Sequence, residues 1–332
     1  MKNKHSLLIL LFAAIIAFHA CPARAAESSA NNSLSSGGQA GIPARVVRGT
    51  VMVSCKDFVK YPGLKMTWRY TNKKKIFEIH RNNLHTKLYI GKKKMVINEE
   101  MSYRLPASTR LLRQDNGRKK LMLPAKRVSA LLRLKYHYDP TGKRVILSPK
   151  KAKMTSRRNI QASQFMKMST KQFIRYMAPV IRAEYRRSGG VLPSVTLAQA
   201  IQESYTGCSL LAQKGNNIFG MKASLSGNNW RGSAWHGKVY TKRTREQYGR
   251  RVVTIKDRFR KYSNVNQNIR DHAAYFNNAR NGSRKRYAGM SSTRSYKTQL
   301  KILRRGGYCT FSNYTKALQR HIKKYKLTRY DR

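Results

Sequence analysis

Glu203 is the residue whose surroundings in the sequence best suit acid–base chemistry. It lies in Leu192–Lys222, where apolar residues at helical spacing run into a turn rich in glycine and asparagine. Pro193 and Ser194 are typical of a helix start, and Gly207 can adopt the left-handed conformation that ends a helix. A carboxyl at the edge of the buried face of an amphipathic helix is partly desolvated, stays protonated near neutral pH and can act as a general acid. The alternative is a solvated glutamate on a helix surface.

The residues around Glu203 form motifs that extend over the second half of the chain. The motifs are LAQAIQES at 197–204, NNIFGMK at 216–222, RFRKY at 258–262, DH at 271–272 and GYCTFSNY at 307–314. Together they closely resemble glycoside hydrolase family 73, the flagellar and autolysin-type glucosaminidases that cut peptidoglycan. The chain departs from the family at Tyr205–Thr206, where a glycine-tryptophan pair is usual, and at Phe311–Ser312, where aspartate-proline is common.

Glycosidic cleavage needs a second group that activates water or stabilises the oxocarbenium-like centre. Carboxylates are few after residue 150: they are Glu184, Glu203, Glu246, Asp257, Asp271 and Asp331. Glu246 precedes Phe259 by 13 residues, the interval at which the family places its second glutamate, so the resemblance implies that Glu246 is the base or stabiliser. Two alternatives stay open. In the first, Glu246 is a surface residue that forms a salt bridge with Arg245 or Arg250. In the second, the acetamide oxygen of the substrate acts as the nucleophile.

The resemblance also implies residues that contact the sugar. Tyr314 matches the family's tyrosine that faces the scissile sugar and is assigned to the catalytic set. Tyr308 and Phe219 are expected to line the groove, and Asn217 is expected to bind substrate in the turn after the catalytic helix. An aromatic residue in a chain with 19 Tyr and 10 Phe is more often a packing residue, and an asparagine in a turn often holds the turn. His272 is interpreted as a satisfied structural histidine.

Residues 151–332 are predicted to form one catalytic domain. Ser169 and Gln172 form a capping box for a helix over 170–187. Strand-like runs at 238–241 and 251–255 indicate a small β lobe, and helices are predicted at 266–278, 296–306 and 314–325. The family resemblance implies that these elements form a lysozyme-like, mostly helical fold, so the whole chain is of the α+β class.

Residues 46–150 are predicted to form a small accessory domain, rich in β-strands, that contains an internal repeat. A shift of 70 residues aligns Val53 with Leu123 and Trp68 with Tyr138 without a gap. Each copy is interpreted as a strand, a short helix and a hairpin. The end of the second copy resembles the domain named after the N-terminal region of copper amine oxidases, a module of bacterial wall enzymes without copper chemistry. We expect a binding or spacing domain, or a purely structural appendage.

The N-terminus indicates export. Two lysines precede the apolar run Leu7–Phe18, which is too short to span a bilayer, and a small-x-small cleavage site ends at Ala25. Residues 1–25 are therefore predicted to be a signal peptide, and residues 26–45, which have almost no large apolar side chains, a flexible linker. The mature protein is expected to be secreted or wall-associated, without stable membrane insertion. A lipid anchor at Cys21 is the alternative.

The charge of the chain indicates a polyanionic partner. The chain contains 70 Lys and Arg residues and 13 Asp and Glu residues, which gives a formal net charge of +57. Such a surface attracts polyanions and loses that attraction as salt screens it. Anionic wall polymers are the expected partners. No nucleic-acid reading motif is present, and the export signal argues against such a ligand. Solvated lysines with no particular partner are the alternative.

The cysteines and histidines indicate no metal chemistry. After cleavage the chain retains Cys55, Cys208 and Cys309, so at least one thiol is free or pairs with another molecule. The family resemblance places Cys208 and Cys309 beside the same groove, where a disulfide between them is one expectation. No histidine or cysteine has metal-ligand spacing, and we expect neither a metal site nor a cofactor.

The sequence thus predicts an exported endo-β-N-acetylglucosaminidase that acts as a monomer on the glycan strands of peptidoglycan, with Glu203 as general acid. Three alternatives remain. The first is a wall- or polyanion-binding protein with a decayed active site. The second is a muramidase or lytic transglycosylase on the same fold. The third, a secreted nucleic-acid binder, rests on charge alone.

Overall fold

The computed structural model describes residues 41–150, 156–224, 233–248, 251–309 and 313–332. The predicted signal peptide, most of the predicted linker and the Phe311–Ser312 pair lie outside these residues. Within the described ranges, no helix combines the length and the apolar character needed to cross a bilayer.

The N-terminal domain, residues 41–150, contains eleven strands and two short helices. They are β1 Ile42–Val47, β2 Thr50–Ser54, α1 Cys55–Val59, β3 Thr67–Thr71, β4 Ile76–Arg81, β5 Leu84–Tyr89, β6 Lys94–Ile97, β7 Met101–Arg104, β8 Arg110–Arg113, β9 Lys119–Pro124, α2 Ala125–Leu131, β10 Leu134–Asp139 and β11 Arg144–Pro149. Two sheets result, in the strand orders β10-β11-β1-β2-β9-β8 and β3-β4-β5-β6-β7. The predicted β-rich character is confirmed. The first strand begins inside the segment predicted as linker, because Ile42 is buried in the domain core.

The internal repeat is visible as a repeated order of elements, β2-α1-β3-β4 and β9-α2-β10-β11. β2 and β9 pair antiparallel, and Val53 lies opposite Leu123, the residue with which the 70-residue shift aligns it. The flanking pairs are Met52 with Pro124 and Ser54 with Met122. This register relates the two strands by an approximate twofold axis through the Val53 and Leu123 pair.

The C-terminal domain is mostly helical, as predicted. Its longer elements are α3 Thr170–Ser188, α4 Pro193–Ser204, α5 Leu210–Gly215, β12 Val239–Tyr248, β13 Arg251–Arg260, α6 Val265–Asn278, α7 Tyr296–Arg305 and α8 Tyr314–Lys324. The short elements are β14 Arg280–Asn281, β15 Arg284–Lys285 and the 3-10 turns Ala162–Lys167 and Leu327–Tyr330. The Ser169 and Gln172 capping box at the start of α3 is confirmed. The predicted β lobe is a single ribbon, β12 and β13, whose strands are longer than the sequence pattern indicated.

Helix α4 lies at the centre of this domain and is buried around its whole circumference. Eleven of its twelve residues are buried, and α3, α7, α8 and the last 3-10 turn pack against it. The predicted amphipathic character is therefore wrong. Polar residues such as Gln199 and Ser204 are fully buried, because they face other protein groups rather than water.

Both ends of α4 differ from the prediction. At its start, the amide groups of Leu192 and Ser194 donate to Gln299 Oε1 at 2.8 Å and Asp331 Oδ1 at 2.7 Å, so distant side chains supply the cap in place of Ser194. The left-handed stop comes at Tyr205, two residues before Gly207. Glycine is still required at 207, since its φ is +79° and a Cβ there would lie 2.1 Å from the ring of Phe165.

The N-terminal domain packs against the turn that follows α4. Asn98 Nδ2 donates to the Cys208 carbonyl at 3.2 Å, and one carboxylate oxygen of Glu100 accepts from the Leu210 amide at 3.0 Å. The other oxygen of Glu100 pairs with Lys242 Nζ on β12 at 2.7 Å. Tyr205, Cys208 and Leu210 also pack into the apolar core of the N-terminal domain. One turn of that domain thus connects α4, α5 and the ribbon.

The predicted disulfide between Cys208 and Cys309 is wrong. None of the three described cysteines forms a disulfide. Cys208 belongs to the apolar core of the N-terminal domain, whereas Cys309 packs against the core of the C-terminal domain. The two side chains therefore lie in different cores.

We predict that Glu100→Gln weakens the contact between the two domains. Glutamine keeps an acceptor for the Leu210 amide but removes the charge that faces the nearly buried ammonium of Lys242. We expect a loss of about 2 kcal/mol in the free energy of unfolding, measured by urea denaturation. In a double-mutant cycle with Lys242→Met, the double variant should lose less free energy of unfolding than the sum of the two single variants. Additive losses would show that Glu100 and Lys242 do not interact. Asp115→Asn, at an exposed acid of the same domain, is the control.

Candidate active site

Glu203 occupies the penultimate position of α4 and is almost completely enclosed. The residue is 9 % exposed, and among the described residues neither carboxyl oxygen has a partner with ordinary hydrogen-bond geometry. Burial raises the pKa of Glu203 to about 8, and the neighbouring hydroxyl of Tyr314 offsets only part of that rise. The carboxyl is therefore mostly protonated at neutral pH, which is the state that a general acid requires.

The other acidic residues of this domain whose side chains are described all have partners. The pairs are Glu184 with Arg187 at 2.6 Å, Asp257 with Lys222 at 2.7 Å, Asp271 with Arg260 at 2.8 Å, and Asp331 with the Ser194 amide at 2.7 Å. Asp331 acts as a cap at the start of α4. Among these described carboxyls, Glu203 alone has neither a cationic partner nor a backbone partner.

The hydroxyl of Tyr314, at the start of α8, lies beside the Glu203 carboxyl. The two groups interact, and burial together with Glu203 raises the pKa of Tyr314 well above its usual value. Gln199 Nε2 donates to the same hydroxyl at 3.3 Å. Sequence reasoning missed Gln199. The available signal was a glutamine four residues before Glu203, on the same face of a helix that is buried on all sides.

An aromatic stack surrounds the site. The ring of Tyr308 stacks on Tyr314 with centroids 5.8 Å apart and on Phe276 at 5.2 Å, and Phe219 stacks on His272 at 3.9 Å. All five rings are buried, so Phe219 and Tyr308 pack beneath the site, and their contact with a sugar stays a prediction. Burial lowers the pKa of His272 to about 3, which keeps the ring neutral. Its Nε2 has no partner among the described residues, unlike the satisfied histidine that we expected.

Asn217 holds the turn that follows α5. Its amide nitrogen donates to the carbonyls of Met221 at 2.8 Å and Arg260 at 2.9 Å, and its amide oxygen accepts from the Met221 backbone at 2.9 Å. Both polar atoms of the side chain are therefore used to join this turn to the end of β13. Substrate binding by Asn217 stays a prediction, whereas its structural role is visible.

The backbone of Glu246 lies in the ribbon. Glu246 is opposite Val253 in the pairing of β12 with β13, four residues along β12 from Lys242. The side chain of Glu246 lies outside the described part of the structure. The backbone of Glu246 thus lies in the β ribbon, where the sequence placed it. Its role as base or stabiliser stays a prediction.

Comparison with known proteins gives the class of this domain. Residues 178–327 match the family Glucosaminidase, described as mannosyl-glycoprotein endo-beta-N-acetylglucosaminidase. Over 141 residues the chain is 36 % identical to exo-glucosaminidase LytG of Bacillus subtilis (strain 168), covering 42 % of this chain and 46 % of that protein. A probable N-acetylmuramidase of Lactococcus lactis subsp. lactis (strain IL1403) is 32 % identical over 166 residues, 49 % of this chain and 35 % of that protein. The matched region is similar to glycoside hydrolase domains of the glucosaminidase type.

Solved structures align with about half of the chain. The catalytic domain of the autolysin Auto from Listeria monocytogenes aligns at 28 % identity over 49 % of this chain and 89 % of that chain, with a TM-score of 0.42. The glycoside hydrolase domain of FlgJ from Salmonella typhimurium aligns at 26 % identity over 48 % of this chain and 89 % of that chain, with a TM-score of 0.35. The chain spans less than half the length of the two curated relatives named above.

We predict that the burial of Glu203 makes the stability of the protein depend on pH. Because its pKa is raised in the folded state, the native protein binds the proton more tightly than the unfolded chain. This contribution to stability is fully present below the unfolded pKa of about 4.3 and is lost as pH rises towards 8. Glu203→Gln removes the effect. Relative to wild type, the variant should therefore gain on the order of a few kcal/mol in the free energy of unfolding over this pH window.

The measurement is urea denaturation of both proteins at the two ends of that window. Groups common to both proteins cancel in the difference, so only the titration of residue 203 remains. Asp115→Asn is the control for the loss of one negative charge at an exposed position. A difference between Glu203→Gln and wild type that is the same at both pH values would show that Glu203 titrates normally.

Proposed function

We propose that the chain is an exported peptidoglycan hydrolase that cleaves the glycan strand after N-acetylglucosamine, with Glu203 as the general acid. The observation that carries this proposal is the buried carboxyl of Glu203, with a pKa of about 8 and no charged partner among the described residues, in a glucosaminidase-type domain. The names of the relatives, an exo-glucosaminidase and probable N-acetylmuramidases, support peptidoglycan as the substrate class.

The proton of Glu203 goes to the glycosidic oxygen as the bond to the leaving sugar breaks. At neutral pH a carboxyl with a pKa of about 8 is protonated in roughly nine molecules of ten. The positive charge that develops at the anomeric carbon needs a partner on the opposite face of the sugar ring. Glu246 on the ribbon or the acetamide oxygen of the substrate takes that role. Tyr314, beside Glu203, contacts the scissile sugar in this arrangement.

The second candidate function is muramidase activity. Relatives named as probable N-acetylmuramidases match 49 % and 43 % of the chain, at 32 % and 31 % identity. A muramidase cuts on the other side of the same sugar and uses the same general acid. The identity of the new reducing end distinguishes the two.

The excess of basic residues suggests anionic wall polymers as additional partners. With a formal charge of +57, the protein would be attracted to such polymers through many weak contacts. The N-terminal domain, with its likeness to the copper-amine-oxidase N-terminal module, is proposed as a spacing or wall-binding unit. Its contacts with the turn after α4 suggest that it also supports the catalytic domain.

We predict that Glu203→Gln lowers the hydrolysis rate of purified peptidoglycan by about 100- to 10,000-fold, because glutamine keeps the shape of the side chain but has no acidic proton to donate. A comparable loss in Glu246→Gln supports two protein carboxylates, and a small loss supports the acetamide of the substrate. Turbidity loss of purified walls gives the rates. Glu184→Gln, which removes a carboxylate paired with Arg187, is the control. Wild-type rates in Glu203→Gln would contradict the assignment.

The same digests identify the bond that is cut. After borohydride reduction of the products, glucosaminitol is expected if cleavage follows N-acetylglucosamine. Muramitol would make the enzyme a muramidase, and anhydromuramic ends would make it a lytic transglycosylase. Either result overturns the proposed specificity while leaving the role of Glu203 intact.

We predict that binding to whole walls falls steeply with salt, because screening weakens contacts between the basic surface and anionic polymers. The measurement uses the Glu203→Gln protein, so that the walls are not digested during the assay. Sedimentation with walls at increasing sodium chloride gives the bound fraction. Walls from which anionic polymers have been extracted are the control, and undiminished retention on them at high salt would contradict the prediction.

A further inference from the structure

Two strands of the N-terminal domain bring together side chains that could bind a metal ion. Glu78 and His80 lie two residues apart on β4, and His85 lies on β5 directly opposite His80. One ligand atom from each residue can be chosen so that all three atoms lie within 4.8 Å of one another. The sequence did not indicate this group, because the pairing of β4 with β5 is what joins the residues.

The two ring nitrogens of His85 each face a carboxylate. Nδ1 lies 3.3 Å from Glu99 Oε1, and Nε2 lies 3.7 Å from Glu78 Oε1. Lys87 Nζ holds the Glu99 carboxylate at 2.6 Å. A histidine that donates through one nitrogen to a fixed carboxylate, and offers the other nitrogen as a ligand, is the usual arrangement around protein-bound transition metals.

Nε2 of His85 is shielded from solvent. Its contact with Glu78 Oε1, at 3.7 Å, is too long for an ordinary hydrogen bond. The rings of His80 and His85 stack with their centroids 4.2 Å apart. With the His85 proton on Nδ1, the lone pair of Nε2 faces a carboxylate oxygen of Glu78. Two electron-rich atoms that face each other are stabilised by a cation between them.

We propose that Glu78, His80 and His85 bind one divalent transition-metal ion on the outer face of the five-stranded sheet. Two imidazole nitrogens and one carboxylate oxygen form a ligand set that suits Zn²⁺ and its neighbours, with water in the fourth position. Ligand atoms on one zinc ion lie roughly 3.3 Å apart. Closing the site therefore requires the stacked rings of His80 and His85 to rotate until their lone pairs point at one ion. Glu99 and Lys87 form the second layer of contacts.

The test is a titration of the untagged, chelator-treated full chain with Zn²⁺ by calorimetry, and with Co²⁺ by visible absorption. We expect one ion per chain and, with Co²⁺, the strong absorption of a four-coordinate ion. His80→Ala, His85→Ala and Glu78→Gln should each weaken binding at least about tenfold. Glu99→Gln keeps all three ligands and should weaken it by about 10- to 100-fold, because the carboxylate that orients His85 is lost.

His137→Ala, at an exposed histidine of the same domain, is the matched control and should bind as wild type does. Bound Zn²⁺ should also raise the unfolding temperature of the wild type and of this control, but not that of His85→Ala. Binding that is unchanged in His80→Ala and His85→Ala, or absent in the wild type, overturns the proposal. These outcomes are independent of hydrolase activity, which is measured at a different site.

Discussion

The complete burial of helix α4 is the constraint on which the rest of the C-terminal domain depends. A helix end cannot be left unsatisfied inside a protein, so distant side chains must supply its partners. Gln299 and Asp331 come from the last third of the chain to cap the first amides, and Gln199 uses the hydroxyl of Tyr314. The carboxyl of Glu203 has neither a charged partner nor a backbone partner among the described residues, and it is therefore chemically available.

The N-terminal domain stabilises the turn that follows α4. Tyr205 and Thr206 both have left-handed backbone conformations, with φ of +50° and +57°, in place of the family's glycine and tryptophan. Such conformations cost roughly 1 to 3 kcal/mol each in residues with a side chain. Tyr205 places its ring in the apolar core of the N-terminal domain, and Cys208 and Leu210 follow it there. Packing between the domains thus offsets the strain of a turn that joins directly onto Glu203.

Local signals in the sequence predicted local structure well. The Ser169 and Gln172 capping box fixed the start of α3, and the repeat predicted the order of strands and helices in the N-terminal domain. The failures share one physical cause, since each depended on a partner that is distant in sequence. Burial of Ile42 moved the domain boundary, and separate cores kept Cys208 from Cys309. For the candidate site, the motif pointed to Glu203 and Tyr314, which are neighbours in the structure, but spacing could not reveal the contact of Gln199 with the tyrosine.

The register between β2 and β9 bears on the origin of the N-terminal domain. Val53 and Leu123 are equivalent in the repeat and lie opposite each other, so a single copy carries a strand that is complementary to itself. Two separate copies would pair through this strand as a symmetric dimer. Duplication and fusion of the gene turn such a dimer into one chain with the same central strand pair. In the present chain the two hairpins lie in different sheets: β10-β11 is in the sheet that contains the central strand pair, and β3-β4 belongs to the separate five-stranded sheet.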